Sequence, residues 1–370
     1  MEVCYVAQEG RSVIMIRNRD QGHCSAPSGR HPAVVGAPIF VVGAARAGTT
    51  LLQSMIDSHP EVALVGELHF FDQIMRLSAV IPEPFGEAAF DQLRAGVLKC
   101  HSSQFVPDLV PALDLALRRL PAEARPTYGL LFAHLLKAFA ELRGVPRVGE
   151  KTPTNIRYLP ELVTVFPDAH IVHILRDPRD SISSRIRYPF SSPSVIFNTL
   201  LWKIEMIYAH DFAAEPTTGS TRYLEVRYEH LVVDPTAVLS RICDFIGVSF
   251  SAAMLAGHQR VDQVVKDEAW KQGVARPINA ASVGAWRQRL TPAQAGLLEI
   301  VAGDYLEQTG YSPQATVGRA QMLLEAIRDL LRFLPYKLRE RWQARRSGPG
   351  NDMIGSESSK VSAMLRRALR

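Results

Sequence analysis

Cysteine is scarce: four in 370 residues, at Cys4, Cys24, Cys100 and Cys243, with no paired spacing. That excludes a zinc ribbon, a Cys-x-x-Cys redox couple and a disulfide framework, and leads us to expect a reducing cytoplasm. Long apolar runs are also missing. The best candidate, Ala33 to Ala45, is 13 residues long and contains Pro38, too short for a bilayer and better suited to a buried strand. The first 36 residues show no charged leader followed by an apolar core and a small-residue cleavage site, so no secretory signal is expected. Positive charge is not concentrated: the net charge is +5 and the pI about 9.1, without a dense basic stripe interleaved with aromatics. A nucleic-acid partner is therefore not expected, and an anionic small ligand suffices to explain the excess.

What remains, 47% hydrophobic and 21% charged residues, can bury one full α/β core with extra helical material. Short apolar runs alternate with longer amphipathic stretches, which predicts a parallel sheet wrapped by helices. The clearest strands are Ile39 to Gly43, His170 to Leu175 and Tyr223 to Arg227. The first feeds Gly43-Ala44-Ala45-Arg46-Ala47-Gly48-Thr49-Thr50, a run with the glycine spacing of a phosphate-binding loop. A helix over Thr49 to Ser58 should follow, with Leu51, Leu52, Met55 and Ile56 inward. Such a strand–loop–helix turn aims backbone N–H groups and a helix dipole at an anion. Threonine, Thr49, stands where a nucleotide triphosphatase needs lysine. Arg46, Thr49 and Thr50 then offer donors to a group less charged than a metal-bound triphosphate, such as a sulfate donor.

A second anion site is suggested by Arg176, at the end of a strand, and Ser184, eight residues later. Ligands of parallel sheets gather beyond the strands' carboxyl ends, where these two can converge on one phosphate. Asp177-Pro178-Arg179-Asp180 between them supplies an N-cap, a proline and an acid that start a helix. Taken alone, the arginine reads as a surface ion pair.

Together with the loop, the run resembles the sulfotransferase family that uses 3′-phosphoadenosine 5′-phosphosulfate (PAPS). Gly43 to Leu52 is similar to that family's 5′-phosphosulfate loop, and Arg176 to Ser184 to its 3′-phosphate motif. Val226 to Leu231 followed by Asp234-Pro235, and Val283-Gly284-Ala285-Trp286-Arg287, resemble two further family segments. The similarity runs from about Pro38 to Gly310. It is greatest to the bacterial and tyrosylprotein-type branch, because Arg46 replaces the cytosolic branch's lysine.

The resemblance implies a P-loop-type parallel sheet flanked by helices, PAPS as co-substrate, no metal, and an acceptor bearing a hydroxyl. It places Arg46, Ala47, Gly48, Thr49 and Thr50 on the 5′-phosphosulfate, Arg176 and Ser184 on the 3′-phosphate, and Tyr228 near the nucleotide. Ala47 stands where many relatives have serine, which removes about 1 kcal/mol of hydrogen bonding if that hydroxyl faced the ligand. Lys151, in Gly149-Glu150-Lys151-Thr152-Pro153, corresponds to the lysine that steadies the bridging oxygen, or is a solvated surface lysine. The base is Glu67 by correspondence with the tyrosylprotein branch, or His69 two residues on; a capping acid is the plain alternative for Glu67. Trp286 either stacks near the adenine or is a core indole, and Arg276 either closes over the 3′-phosphate or is a surface arginine. The rivals to a sulfotransferase are a P-loop kinase and a nucleotide- or glycan-binding module without turnover.

Three regions are expected: a flexible leader over 1–36, a sulfotransferase domain over 37–316 with a proline-broken helical insertion between Glu67 and Gly144, and a C-terminal helical extension over 317–370. In the extension, Leu323, Ile327, Leu330, Leu331 and Leu334 recur at helical spacing before a basic end, Lys337 to Arg341. That stripe fits docking on the domain, or on an anionic membrane surface. The tail from Ser347 is expected to be flexible, with a short basic helix over Lys360 to Arg370.

Overall fold

The computed structural model describes residues 2–8, 11–17, 36–79, 81–99, 108–120, 126–188, 191–215, 222–260 and 278–347. Two strands rich in β-branched and aromatic residues, β1 (Glu2–Gln8) and β2 (Arg11–Arg17), pair antiparallel within the leader expected to be flexible. The rest of that leader, Arg276, and the tail beyond Ser347 lie outside the described residues.

The domain is organised by a five-stranded parallel sheet in the order β4 (Val62–Val65), β5 (Arg147–Lys151), β3 (Ile39–Gly43), β6 (His170–Leu175), β7 (Tyr223–Arg227). Every neighbouring pair is parallel. The central β3 is buried along its whole length, so it reads as an unbroken apolar run. By contrast β5 carries Arg147, Glu150 and Lys151, and hydropathy alone does not mark it as a strand. A Cβ at its Gly149 would lie 1.9 Å from the Ile39 carbonyl oxygen, so only glycine lets β5 lie against β3 here.

The three strands expected from the sequence have the expected bounds. After β3, α1 (Thr49–Ile56) buries Leu52, Met55 and Ile56 and ends two residues earlier than expected. Between β4 and β5 the helical insertion holds α2 (Phe90–Lys99), α3 (Leu109–Arg119) and α4 (Tyr128–Arg143), the last capped by Thr127. Then come α5 (Leu159–Val165), α6 (Pro178–Arg185) capped by Asp177, and α7 (Val195–Ala213) capped by Ser194. Beyond β7 lie α8 (Tyr228–Val233), α9 (Pro235–Ile246), α10 (Trp286–Arg289), α11 (Pro292–Ala302), α12 (Asp304–Gln308) and α13 (Arg319–Ser347).

Docking of the extension departs from the first of its two expectations. The leucine stripe of α13 is solvent-exposed, and the opposite face meets the domain through Asp329 and Phe333. The Asp329 carboxylate accepts from the Ser194 hydroxyl, from Val195 N at 2.6 Å and from Ile196 N at 3.2 Å. An anion at the unpaired amides of the α7 N-terminus is stabilised by hydrogen bonding and by the helix dipole, which explains why a polar face is the one that docks. Phe333 adds an aromatic contact with Phe197, ring centroids 5.2 Å apart.

Candidate active site

Each of the five strands of the parallel sheet has a candidate site residue at or just beyond its carboxyl end. Along that edge the order is Glu67 and His69 after β4, Lys151 at the end of β5, the glycine loop after β3, Arg176 after β6 and Tyr228 after β7. Strands lie about 4.8 Å apart, so the edge spans roughly 20 Å.

In the loop, Arg46 and Gly48 have positive φ of 73° and 106°. Gly48 occupies the N-cap of α1, so no side chain there competes for the first amides of the helix. A Cβ at Gly48 would fall 2.5 Å from a ring carbon of Tyr228, so the tyrosine ring is packed directly against the loop. Thr49 and Ala47 are buried and Thr50 is half-buried.

Arg176 ties the loop to the second motif. Its guanidinium donates from Nη1 to the Arg46 carbonyl at 3.0 Å and from Nη2 to the Ser282 carbonyl at 2.7 Å, and lies 4.2 Å from the Tyr228 ring centroid. Its Nε is buried and has no partner among the described residues. Arg46 reaches the other way: Nε donates to Ser184 Oγ at 3.2 Å and Nη2 to Tyr188 Oη at 3.1 Å. Burial, and secondarily the Arg176 charge, lower the pKa of this guanidinium below its ordinary value. Two arginines held this close, one with a vacant donor, suit an anion.

At the other end, Lys151 is 1% exposed and donates to Glu67 Oε1. It is thus a buried, paired cation and not a solvated surface lysine. His69 sits between two carboxylates, with Nε2 3.4 Å from Glu67 and Nδ1 3.9 Å from Asp72, in left-handed backbone at φ 50°. Burial opposes its charge, but the facing carboxylates of Asp72 and Glu67 outweigh that and raise its pKa to about 9. The folded chain therefore binds a proton that the unfolded chain gives up near pH 6.5. The stabilisation is complete below pH 6.5 and lost as pH rises through about 9, on the order of 3 kcal/mol in all. Melting temperature is expected to fall over that window in the wild type and to fall less in His69→Gln. Parallel profiles for the two proteins would refute a buried imidazolium.

Glu150 and Asp180 were not singled out from the sequence as site residues, yet both hold the site together. Glu150 is fully buried and accepts from Leu68 N at 3.0 Å, Asn155 Nδ2 at 2.8 Å and the Thr152 hydroxyl, which fixes the backbone beside Glu67. Burial pushes its carboxyl up to about 7 despite those donors. Asp180 accepts from Gly284 N at 2.7 Å and Trp286 N at 2.8 Å. The signal for Asp180 lies in two motifs visible in the sequence, Asp177 to Asp180 and Val283 to Arg287, whose pairing is not visible there. Trp286 is buried, with the Arg179 and Arg287 guanidiniums 4.6 and 4.7 Å from its ring centroid. Arg179 is itself locked to Asp177 and to Glu299.

Residues 38–252, more than half of the chain, match the profile described as the sulfotransferase family. The chain belongs to that family. It is 24% identical over 260 residues to protein-tyrosine sulfotransferase 2 of Gallus gallus, covering 67% of this chain and 62% of that one. An uncharacterized protein of Aquifex aeolicus is 25% identical over 257 residues, 68% of this chain and 30% of its own length. The chain thus spans less than two thirds of either relative. Among solved structures, the sulfotransferase domain from the Synechococcus PCC 7002 olefin synthase superposes with a TM-score of 0.55 at 23% identity, covering 78% of this chain and 98% of that one. That likeness is one of fold.

Proposed function

We propose that this sulfotransferase-family protein moves a sulfuryl group from PAPS to the hydroxyl of an acceptor. One observation carries the reading: the hydrogen bond from Arg176 to the Arg46 carbonyl makes a single cradle of two anion motifs 130 residues apart. The cradle fits a nucleotide with anionic groups at two ends. Arg176 keeps a buried donor unpartnered, the α1 N-terminus offers amides, and Gly48 leaves no Cβ in the way.

When bound, PAPS supplies the sulfuryl group, its S–O bridge breaking as the acceptor oxygen bonds to sulfur. The loop amides, Arg46, Thr49 and Thr50 would hold the 5′ end, and Arg176 with Ser184 the 3′-phosphate. Glu67 takes the acceptor's proton, because His69, an imidazolium near neutral pH, has no free lone pair to receive it. Lys151 keeps a cation at the corner where the leaving phosphate oxygen gains charge. The name of the Gallus relative makes a tyrosine side chain the first acceptor to try.

Thermal melts test the nucleotide half of the reading. 3′-Phosphoadenosine 5′-phosphate, the product nucleotide, is expected to raise the melting temperature at concentrations where ATP with Mg²⁺ does not. Equal shifts would favour a kinase, which the absence of a loop lysine argues against. Mass-spectrometric detection of a sulfated tyrosine peptide or other hydroxyl acceptor then tests transfer.

A further inference from the structure

The C-terminal helix α13 is docked with its apolar stripe facing outward. Eight of the fourteen exposed large hydrophobic side chains among the described residues lie on it, including Leu323, Ile327, Leu330, Leu331, Leu334 and Leu338. At 100° per residue Ile327 stands about 160° around the helix from Asp329, the residue that anchors α13 to the domain. The stripe is therefore presented rigidly, over roughly 28 Å from Leu323 to Trp342.

Charge is sorted in the same sense. The helix has three acids, Glu325, Asp329 and Glu340, and all three are buried against the domain at 4%, 1% and 2% exposure. Its described basic residues stay outside or at the margin: Arg319, Arg328, Arg332 and Arg339 are exposed, and Lys337 is half-buried. What faces solvent is apolar and cationic with no carboxylate. Trp342, 56% exposed at the far end of the stripe, has the amphipathic ring that settles at headgroup depth. Self-association through this face would bring arginine flanks together, whereas an anionic lipid surface matches both the leucines and the charge. No helix among the described residues is long and apolar enough to cross a membrane.

We infer that the outer face of α13 lies on an anionic bilayer surface, making the protein a peripheral membrane protein. Flotation of the full chain with phosphatidylcholine vesicles, with and without phosphatidylglycerol, tests this. The protein is expected to float with the anionic vesicles, to be released by high salt, and to show a blue shift of tryptophan emission on binding. Ile327→Glu with Leu331→Glu should reduce vesicle partitioning about tenfold or more at an unchanged melting temperature, since both side chains are exposed. Arg328→Gln with Arg339→Gln, which leaves Arg332 on Glu325, should reduce it about tenfold. Wild-type protein that stays unbound beside anionic vesicles would overturn the inference. So would a solution dimer that the Ile327→Glu, Leu331→Glu pair converts to monomer, since a second copy would then own this face.

Discussion

Glu67→Gln is expected to lower turnover by about 10² to 10⁴-fold while leaving binding of 3′-phosphoadenosine 5′-phosphate within a few-fold of wild type. The amide keeps the side chain's size and can still accept from Lys151, but it cannot take a proton from a hydroxyl. Binding should survive because Glu67 leaves the β4 end of the sheet edge, whereas the nucleotide cradle is built from the ends of β3, β6 and β7. Lys151 complicates the substitution. It is buried and loses its counter-ion, and an uncompensated buried charge destabilises a fold. Glu67→Asp supplies the control: the negative charge stays, the carboxylate retreats by one methylene, and turnover should drop with the melting temperature nearly intact. Turnover of Glu67→Gln within threefold of wild type would move the base elsewhere in the site.

Arg176→Ala is expected to weaken nucleotide binding about 30- to 1,000-fold, the range that follows from truncating one partner of a buried charged hydrogen-bond pair. The loss has two sources. One is the guanidinium itself, with a donor that no described group satisfies. The other is geometry: the Arg46 and Ser282 carbonyls lose their donor and Tyr228 loses the cation over its ring. Arg176→Lys separates the two, because an ammonium restores charge but cannot span both carbonyls as the planar fork does. Calorimetric titration should place the lysine variant between alanine and wild type. Wild-type affinity in Arg176→Ala would remove the second anion site.

The sequence is most readable where local backbone geometry dictates residue type. Gly43 to Thr50 could be located because the turn demands glycines at fixed places, and Asp177-Pro178 because a helix start demands a cap and tolerates proline. The same reasoning passes over β5, whose charged residues look exposed until Glu150 is found accepting from Leu68, Thr152 and Asn155, and Lys151 donating to Glu67. Those partners sit up to 84 residues away, and no periodicity reports such pairings. Arg46 meeting Ser184 across 138 residues is another case: in the sequence both read as anion-binding residues, but at opposite ends of the ligand. For α13 the stripe was visible and its direction was not. Hydrophobic spacing says which residues share a face, and the contacts of Asp329 with the α7 amides and of Phe333 with Phe197 show which face turns inward.

The connection from β4 to β5 leaves the sheet at Val65, carries α2, α3 and α4, and returns at Arg147 beside the strand it left. Its α4 is part of the main core, with the Phe132 ring edge-on to Phe40 of the central β3 at 6.0 Å between centroids. A graft spliced at those two points would carry Glu67 and His69 away with it, while the β3 and β6 ends kept Arg46 and Arg176 in register.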